Sequence, residues 1–223
     1  MIFMYDEKAG EEFLHLRGES FKYLVKVRRH KVGDTLYFRH KNTPEMLYSY
    51  RVSGVEGRSL SLQLCNTQES IVSHQHTLHL GWCVIDSKSV EKVLASLNEM
   101  GVAKISFIYC ERSQKNFKVD LKRYERIVEA SNQQCGRSTM MEFDVVQNIE
   151  SFVAKNPDVK VFDFCDNPLN QDAAFGCVLV GCEGGFSPKE KEFLAKQEVF
   201  RLQTPLVLRS ESAALAISAK ILL

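Results

Sequence analysis

The chain has 223 residues, 44% of them apolar, and a formal net charge of +1; this composition suffices for a buried core and argues against wholesale binding of a polyanion. No run of 18 apolar residues could span a bilayer, and the opening MIFMYDEKAGEEF turns acidic where a secretory leader needs an apolar core, so a cytoplasmic protein is expected. The seven cysteines include no Cys-x-x-Cys pair and read as reduced thiols.

Residues 1–70 have the pattern of a small antiparallel β domain. TLYFRH, MLYSYRVSGV and SLSLQLC are short β-rich runs separated by KNTPE and EGR. One helix interrupts them. In ESFKYLVKVRR, Phe21, Leu24 and Val25 share an apolar face, while Lys22, Lys26 and Arg29 fall at i, i+4 and i+7 on another. Between Lys22 and Lys41 there are seven Lys or Arg against one acid, Asp34. Such a cluster is either a solvated face or a contact for nucleic acid. The polar stretch CNTQESIVSHQ, residues 65–75, marks the boundary with a second domain over 71–223. His74, His76 and His79 have a metal-like spacing, but period-2 alternation puts His79 on the opposite face, and no metal site is expected.

From about residue 76 strands and helices alternate. TLHLGWCVI precedes SKSVEKVLASLNEMG, where Val90, Val93, Leu94, Leu97 and Met100 recur at helical spacing and Gly101 suits a C-terminal cap. AKISFIYC precedes DLKRYERIVEASNQQCG, with Asp120 placed as N-cap. A short strand near FDVV and a short helix follow, then VKVFDFC, CVLVG, and a helix SPKEKEFLAKQ that opens on a capping box from Ser187 to Glu190 with Pro188 at its first position. EVFRLQ and the helix SESAALAISAKILL complete the chain. This alternation predicts an α/β domain with a mostly parallel sheet covered on both faces.

Two stretches could carry ligand chemistry. LVGCEGGFSPKEKEF places Gly181, Gly184 and Gly185 just beyond the C-terminal end of a strand, where ligands gather in open α/β sheets. It is a tight turn or a ligand loop. The spacing matches neither Gly-x-Gly-x-x-Gly nor a phosphate loop, and Glu183 would repel phosphate, so a ligand held mainly by backbone groups fits better. In TPLVLRSESAAL, Arg209 and Glu211 mark the entry to a helix of small residues; taken alone, this is a solvated helix start with a favourable acid.

Together these stretches resemble the RsmE family of small-subunit (16S) ribosomal RNA uridine N3-methyltransferases, of the SPOUT superfamily. VGCEGGFSPKE is similar to the family's Gly-Pro-Glu-Gly-Gly-Phe-Ser element and LRSESAAL to its Leu-Arg-x-Glu-Thr-Ala element. YLVKVRRHKVGD, LNEMGV, CERS and QCGR follow further family segments in order along the chain. Cys182 replaces the usual proline, Ser212 the usual threonine, Tyr23 a common histidine, and in QTPL only Pro205 matches the usual Leu-Gly-Pro-Arg.

The resemblance implies a PUA-like RNA-binding β domain, a trefoil-knotted α/β methyltransferase domain, S-adenosylmethionine as cofactor, and a homodimer that acts on ribosomal RNA or the small ribosomal subunit, without a metal or a membrane. It assigns Phe164, Gly181, Glu183, Gly184, Gly185, Gln203, Thr204 and Leu208 to the cofactor. Arg209 becomes the catalytic cation, and Glu211 either accepts the proton or orients Arg209. Lys22, Lys26, Arg28 and Arg29 would grip phosphates, with Arg112 and Arg137 reaching RNA or the partner subunit. The alternatives are ribose 2′-O-methylation on the same fold, and an RNA-binding protein that has lost its cofactor.

Overall fold

The computed structural model describes residues 2–114, 116–169 and 175–223. They form two compact units, Met1–Ser73 with Asn132–Thr139, and His74–Ser131 with Met140–Leu223.

The first unit is built on β1 (Met4–Tyr5), β2 (Phe13–Leu16), β3 (Thr35–His40), β4 (Thr43–Glu56) and β5 (Ser59–Glu69), in the order β1-β3-β4-β5-β2. The β1–β3 pair is parallel and the other pairs are antiparallel. Leu36, Phe38, Tyr50, Val52, Leu60 and Leu62 alternate along their strands and form the core with Phe21 and Leu24. KNTPE does not separate two strands as its composition suggests, because β4 starts at Thr43 and runs through Pro44. That proline precedes the β4–β5 ladder, which starts at Met46, so its missing N–H costs no bond there. Its carbonyl accepts from Arg39 Nη1 at 2.7 Å, and Arg39, one of the seven basic residues counted above, is buried in the core. β5 also outruns its apolar pattern, since ladder bonds to β4 require backbone rather than side chains. Asn132–Thr139 joins this unit through Gln133, whose carbonyl accepts from the Ile2 amide at 2.8 Å and whose side-chain oxygen accepts from the Tyr5 amide at 3.0 Å.

The predicted basic helix is split. A single turn of α1 (Gly18–Phe21) runs into a π-helical turn over Lys22–Val27. Arg28 caps it, and Arg29 lies beyond with φ 62, so helical periodicity does not place Arg29 beside Lys22 and Lys26.

The second unit holds β6 (Leu78–Cys83), β7 (Val102–Ile108), β8 (Glu142–Val146), β9 (Lys160–Phe162), β10 (Cys177–Val180) and β11 (Val199–Phe200) in one parallel sheet of order β11-β9-β10-β6-β7-β8. Its helices are α2 (Ser87–Glu99), α3 (Leu121–Cys135, the last four residues of which belong to the first unit), α4 (Ile149–Lys155), α5 (Pro188–Leu194) and α6 (Ser210–Leu222). The predicted punctuation is present. Gly101 has φ 100 and its amide bonds Asn98 O, Asp120 Oδ1 caps α3 by accepting from Arg123 N at 3.0 Å, and both halves of the Ser187–Glu190 capping box form. Leu80, Trp82, Ile105, Phe107, Val178 and Val180 on one face and Cys83, Ile108 and Leu179 on the other are all buried, as strands covered on both faces require.

The chain's last turn positions the site. β11 is the edge strand beside β9, yet the next helix, α6, lies against α2, β6 and β10 in the middle of the sheet. Residues 201–209 therefore carry the chain back across the strand ends before α6 enters.

Candidate active site

A half-open cavity of about 280 Å³ lies where this return segment faces the C-terminal ends of β9 and β10. Its walls come from three stretches: Phe162–Phe164 after β9, Val180–Phe186 after β10, and Arg201–Ser210 before α6. The floor is fixed by a relay of hydrogen bonds. The indole N–H of buried Trp82 donates to Ser210 Oγ at 2.8 Å, and that hydroxyl donates to the carbonyl of Gly181 at 2.6 Å. One serine thus anchors the start of α6 to both β6 and the glycine loop.

The glycine loop has two distinct sides. Gly185 lines the cavity with φ +64, and a Cβ there would meet nothing within 4 Å. That open space is available to a ligand, while L side chains rarely adopt the backbone. Gly184 faces away. A Cβ on it would come within 3.3 Å of Arg112 Cβ, and the Arg112 guanidinium donates to the Gly184 carbonyl at 2.7 Å. Beneath the loop, buried Glu190 accepts from the amides of Glu111 and Ser187, both at 2.8 Å, which ties the segment after β7 to the start of α5. Asp163 in the cavity wall is paired with Lys191 at 2.8 Å.

Of the residues expected to hold a cofactor, Phe164, Gly181, Glu183, Gly185, Thr204 and Leu208 line the cavity; Gly184 supports it from behind, and Gln203 is exposed outside the lining. Arg209 lines the mouth and is exposed. Glu211 lies in the first turn of α6, outside the lining, and its carboxylate makes no bond to Arg209. Ser210 and Cys182 also line the cavity, and the sequence assigns neither of them a role there. Ser210 is the residue between the two that drew notice, and only the fold shows its bond to a tryptophan 128 positions away.

The expected RNA contacts divide in the same way. Lys22 and Lys26 are exposed, although Lys22 pairs with Glu19 at 2.7 Å; Arg28 is exposed and donates from Nε to Tyr23 Oη at 2.9 Å, lying over that ring; Arg29 is exposed. Arg112 belongs to the loop support just described. Arg137 is buried and donates to Thr139 Oγ1 at 3.0 Å, so it is an internal residue of the first unit and not a surface cation, and burial holds its pKa below the usual guanidinium value. Among the described residues no group of three or more His, Cys, Asp or Glu could hold a metal ion, and no helix is long and apolar enough to cross a membrane.

The family model for the RNA methyltransferase domain matches residues 73–222, which take in the whole cavity. A ribosomal RNA small subunit methyltransferase E from Helicobacter pylori is 34% identical over 98% of both chains. The chain belongs to the ribosomal RNA small subunit methyltransferase E family. A more distant member from Aquifex aeolicus is 25% identical over 97% of both chains. Among solved structures, a Legionella pneumophila protein in complex with the bound cofactor SAM superposes with a TM-score of 0.78 at 21% identity, covering 99% of this chain and 96% of its own. The family's Neisseria gonorrhoeae enzyme, bound to S-adenosyl methionine, gives 0.73 at 18% identity, covering 98% and 95%. The fold of the chain is therefore that of the SPOUT-type methyltransferases.

Proposed function

We propose that this chain, an S-adenosylmethionine-dependent ribosomal RNA methyltransferase by family, methylates N3 of a uridine in small-subunit RNA, with Arg209 as the catalytic cation. The observation that carries the reading is the placement of Arg209 at the mouth of a cavity whose inner wall is a glycine loop.

The cavity suits the cofactor in size and chemistry. At about 280 Å³ it lies near the lower limit of ligand pockets, roughly 300 Å³, which favours a compact conformer. Gly185 leaves open space where a side chain would stand, and the apolar bodies of Phe162, Val180, Leu208 and Ala213 offer surface to an adenosine. Gly181, Gly185, Thr204 and Leu208 would hold it by backbone and apolar contact, with Phe164 at the rim. When bound, the cofactor supplies a methyl group on a sulfonium, and the rest is positioning and charge.

Uracil N3 must lose a proton, and its anion spreads charge onto the flanking carbonyl oxygens. The Arg209 guanidinium can donate to such an edge with a planar fork and stabilises the developing charge more than the neutral base. Because Glu211 stands outside the cavity, Arg209 carries the catalytic assignment and the proton leaves to water at the open mouth. The exposed cations Lys22, Lys26, Arg28 and Arg29 supply phosphate contacts from the first unit, which acts as the RNA-binding domain. Phe164, Leu206 and Val207, each more than 70% exposed, form an apolar rim suited to a second copy of the chain, and the working form is a homodimer in the cytoplasm.

The test is transfer of a labelled methyl group from S-adenosylmethionine into small-subunit RNA, followed by nucleoside mass spectrometry. N3-methyluridine is the expected product. A ribose-methylated nucleoside, or no transfer despite cofactor binding, would refute the assignment, and light scattering decides the dimer.

A further inference from the structure

Three cysteines meet at the C-terminal ends of adjacent strands. Cys83 ends β6, Cys110 follows β7 and Cys182 follows β10, all three buried. The sulfurs of Cys110 and Cys182 are 3.6 Å apart, 72 residues from each other in the chain. Ser113 Oγ lies 3.1 Å from the Cys110 sulfur, and Cys182 Sγ is 3.7 Å from the Gly185 carbonyl. Cys182 also lines the cavity, so a small solute that enters the cavity reaches the Cys182 sulfur, 3.6 Å from that of Cys110.

We infer that Cys110 and Cys182 form a reversible disulfide with hydroperoxide as oxidant, and that this bond closes the cofactor cavity. The disulfide itself stands on the approach of the two sulfurs, whereas its effect on ligand binding rests on the cofactor reading above.

The two thiols are electrostatically unequal. Hydrogen bonding with Cys182, Cys83 and Ser113 holds Cys110 below the usual thiol range, while hydrogen bonding with Cys110 and burial push Cys182 up. Cys110 is therefore the nucleophile and Cys182 the resolving thiol. The Cys110 thiolate attacks one peroxide oxygen, the O–O bond breaks, hydroxide leaves, and Cys110 becomes a sulfenic acid. The Cys182 sulfur then attacks the Cys110 sulfur, the S–O bond breaks, and water leaves with the Cys182 proton. Two cysteines lose two electrons, peroxide gains them, and water and hydroxide are the by-products.

Closing the bond brings the sulfurs from 3.6 Å to about 2.05 Å, and Cys182 is the side chain that moves, because Ser113 Oγ holds both the amide and the sulfur of Cys110. The motion takes Cys182 off the Gly185 carbonyl and shifts the loop whose glycine faces the ligand. Bound cofactor, by filling the cavity, blocks peroxide from its route to the thiols.

The experiment uses the reduced full chain, with or without saturating S-adenosylmethionine. Hydrogen peroxide is added, free thiols are alkylated, and linked peptides are mapped by mass spectrometry; calorimetry follows cofactor affinity before oxidation, after it, and after dithiothreitol. The expected results are a Cys110–Cys182 linkage, at least a tenfold loss of affinity that dithiothreitol reverses, and slower linkage with cofactor present. Cys110→Ser, at a position outside the cavity lining, retains its affinity through peroxide treatment, and Cys110→Ala replaces it if the serine variant does not fold. Absence of the linkage, linkage of either residue to Cys83 instead, or equal loss of affinity in the Cys110 variant overturns the inference. If the reduced protein binds no S-adenosylmethionine, the cofactor reading falls while the peptide map still decides the disulfide.

Discussion

Arg209 and Gly185 divide the work of the cavity between chemistry and binding, and their variants should fail differently. A donor that acts on developing charge matters more in the transition state than in the ground state. Arg209→Ala should therefore lower kcat on the order of a hundredfold or more with little change in KM for RNA, and Arg209→Lys should restore little because an ammonium lacks the fork. Raising the pH should partly rescue the alanine variant, since solvent then ionises N3 unaided. A wild-type rate in methyl-transfer assays of Arg209→Ala would end its catalytic role. Gly185→Val forces a β-branched residue into the left-handed region, at a cost of about 1–2 kcal/mol, and places its side chain in the open space. Calorimetry should find cofactor binding abolished in a protein with an unchanged circular dichroism spectrum; an unaltered affinity would take Gly185 off the ligand face. Gly184→Val instead presses on Arg112, so its effect should be weaker and should be reproduced by Arg112→Ala.

Among the elements, the basic turn after α1 is where local sequence misleads most. Its apolar positions Phe21 and Leu24 were legible as core because any helix-like winding buries them together, but the i, i+4, i+7 register of Lys22, Lys26 and Arg29 presumes 3.6 residues per turn, and the π-helical turn breaks it. Lys26→Ala with Arg29→Ala should still weaken RNA binding, through lost counterion release, and should flatten the salt dependence by roughly 0.7 per phosphate contact removed. Filter-binding curves at several salt concentrations that overlay those of wild type would reduce the cluster to a solvated face. By contrast, the starts of α3 and α5 and the Gly101 cap were readable almost to the residue, because capping is decided by side chains within a few positions of the helix end. The strand edges near Pro44 and Glu69 were not, since backbone ladders extend wherever a partner strand continues. Arg39 and Arg137 illustrate the same limit at the level of charge: composition counts a cation, and only the fold reveals that it is buried.

At the scale of the molecule, the ligand cavity belongs wholly to the second unit, where the glycine loop, the return segment and α6 meet beyond the ends of β9 and β10. Stabilisation by cofactor should follow that division. At a free concentration one hundred times Kd, binding contributes about 2.7 kcal/mol to the unit that holds it, so in scanning calorimetry the transition of the second unit should rise with S-adenosylmethionine while that of the first stays in place. A first-unit transition that moved equally would show the two units to unfold as one. The motif residues of the cavity were legible because they cluster in two short stretches. The floor was not, because Trp82 and Ser210 are distant partners joined only by folding. That bond has an optical consequence. Trp82 is the single tryptophan of the chain, fully buried, and its indole N–H is one hydroxyl away from the Gly181 carbonyl. The protein therefore carries an intrinsic fluorophore wired to its ligand loop. Emission should be blue-shifted in the resting protein and should change in intensity as the loop is occupied or cross-linked, and Ser210→Ala, which leaves the indole donor unpaired, should uncouple the signal from both events. A stopped-flow fluorimeter could then time loop rearrangement without any added label.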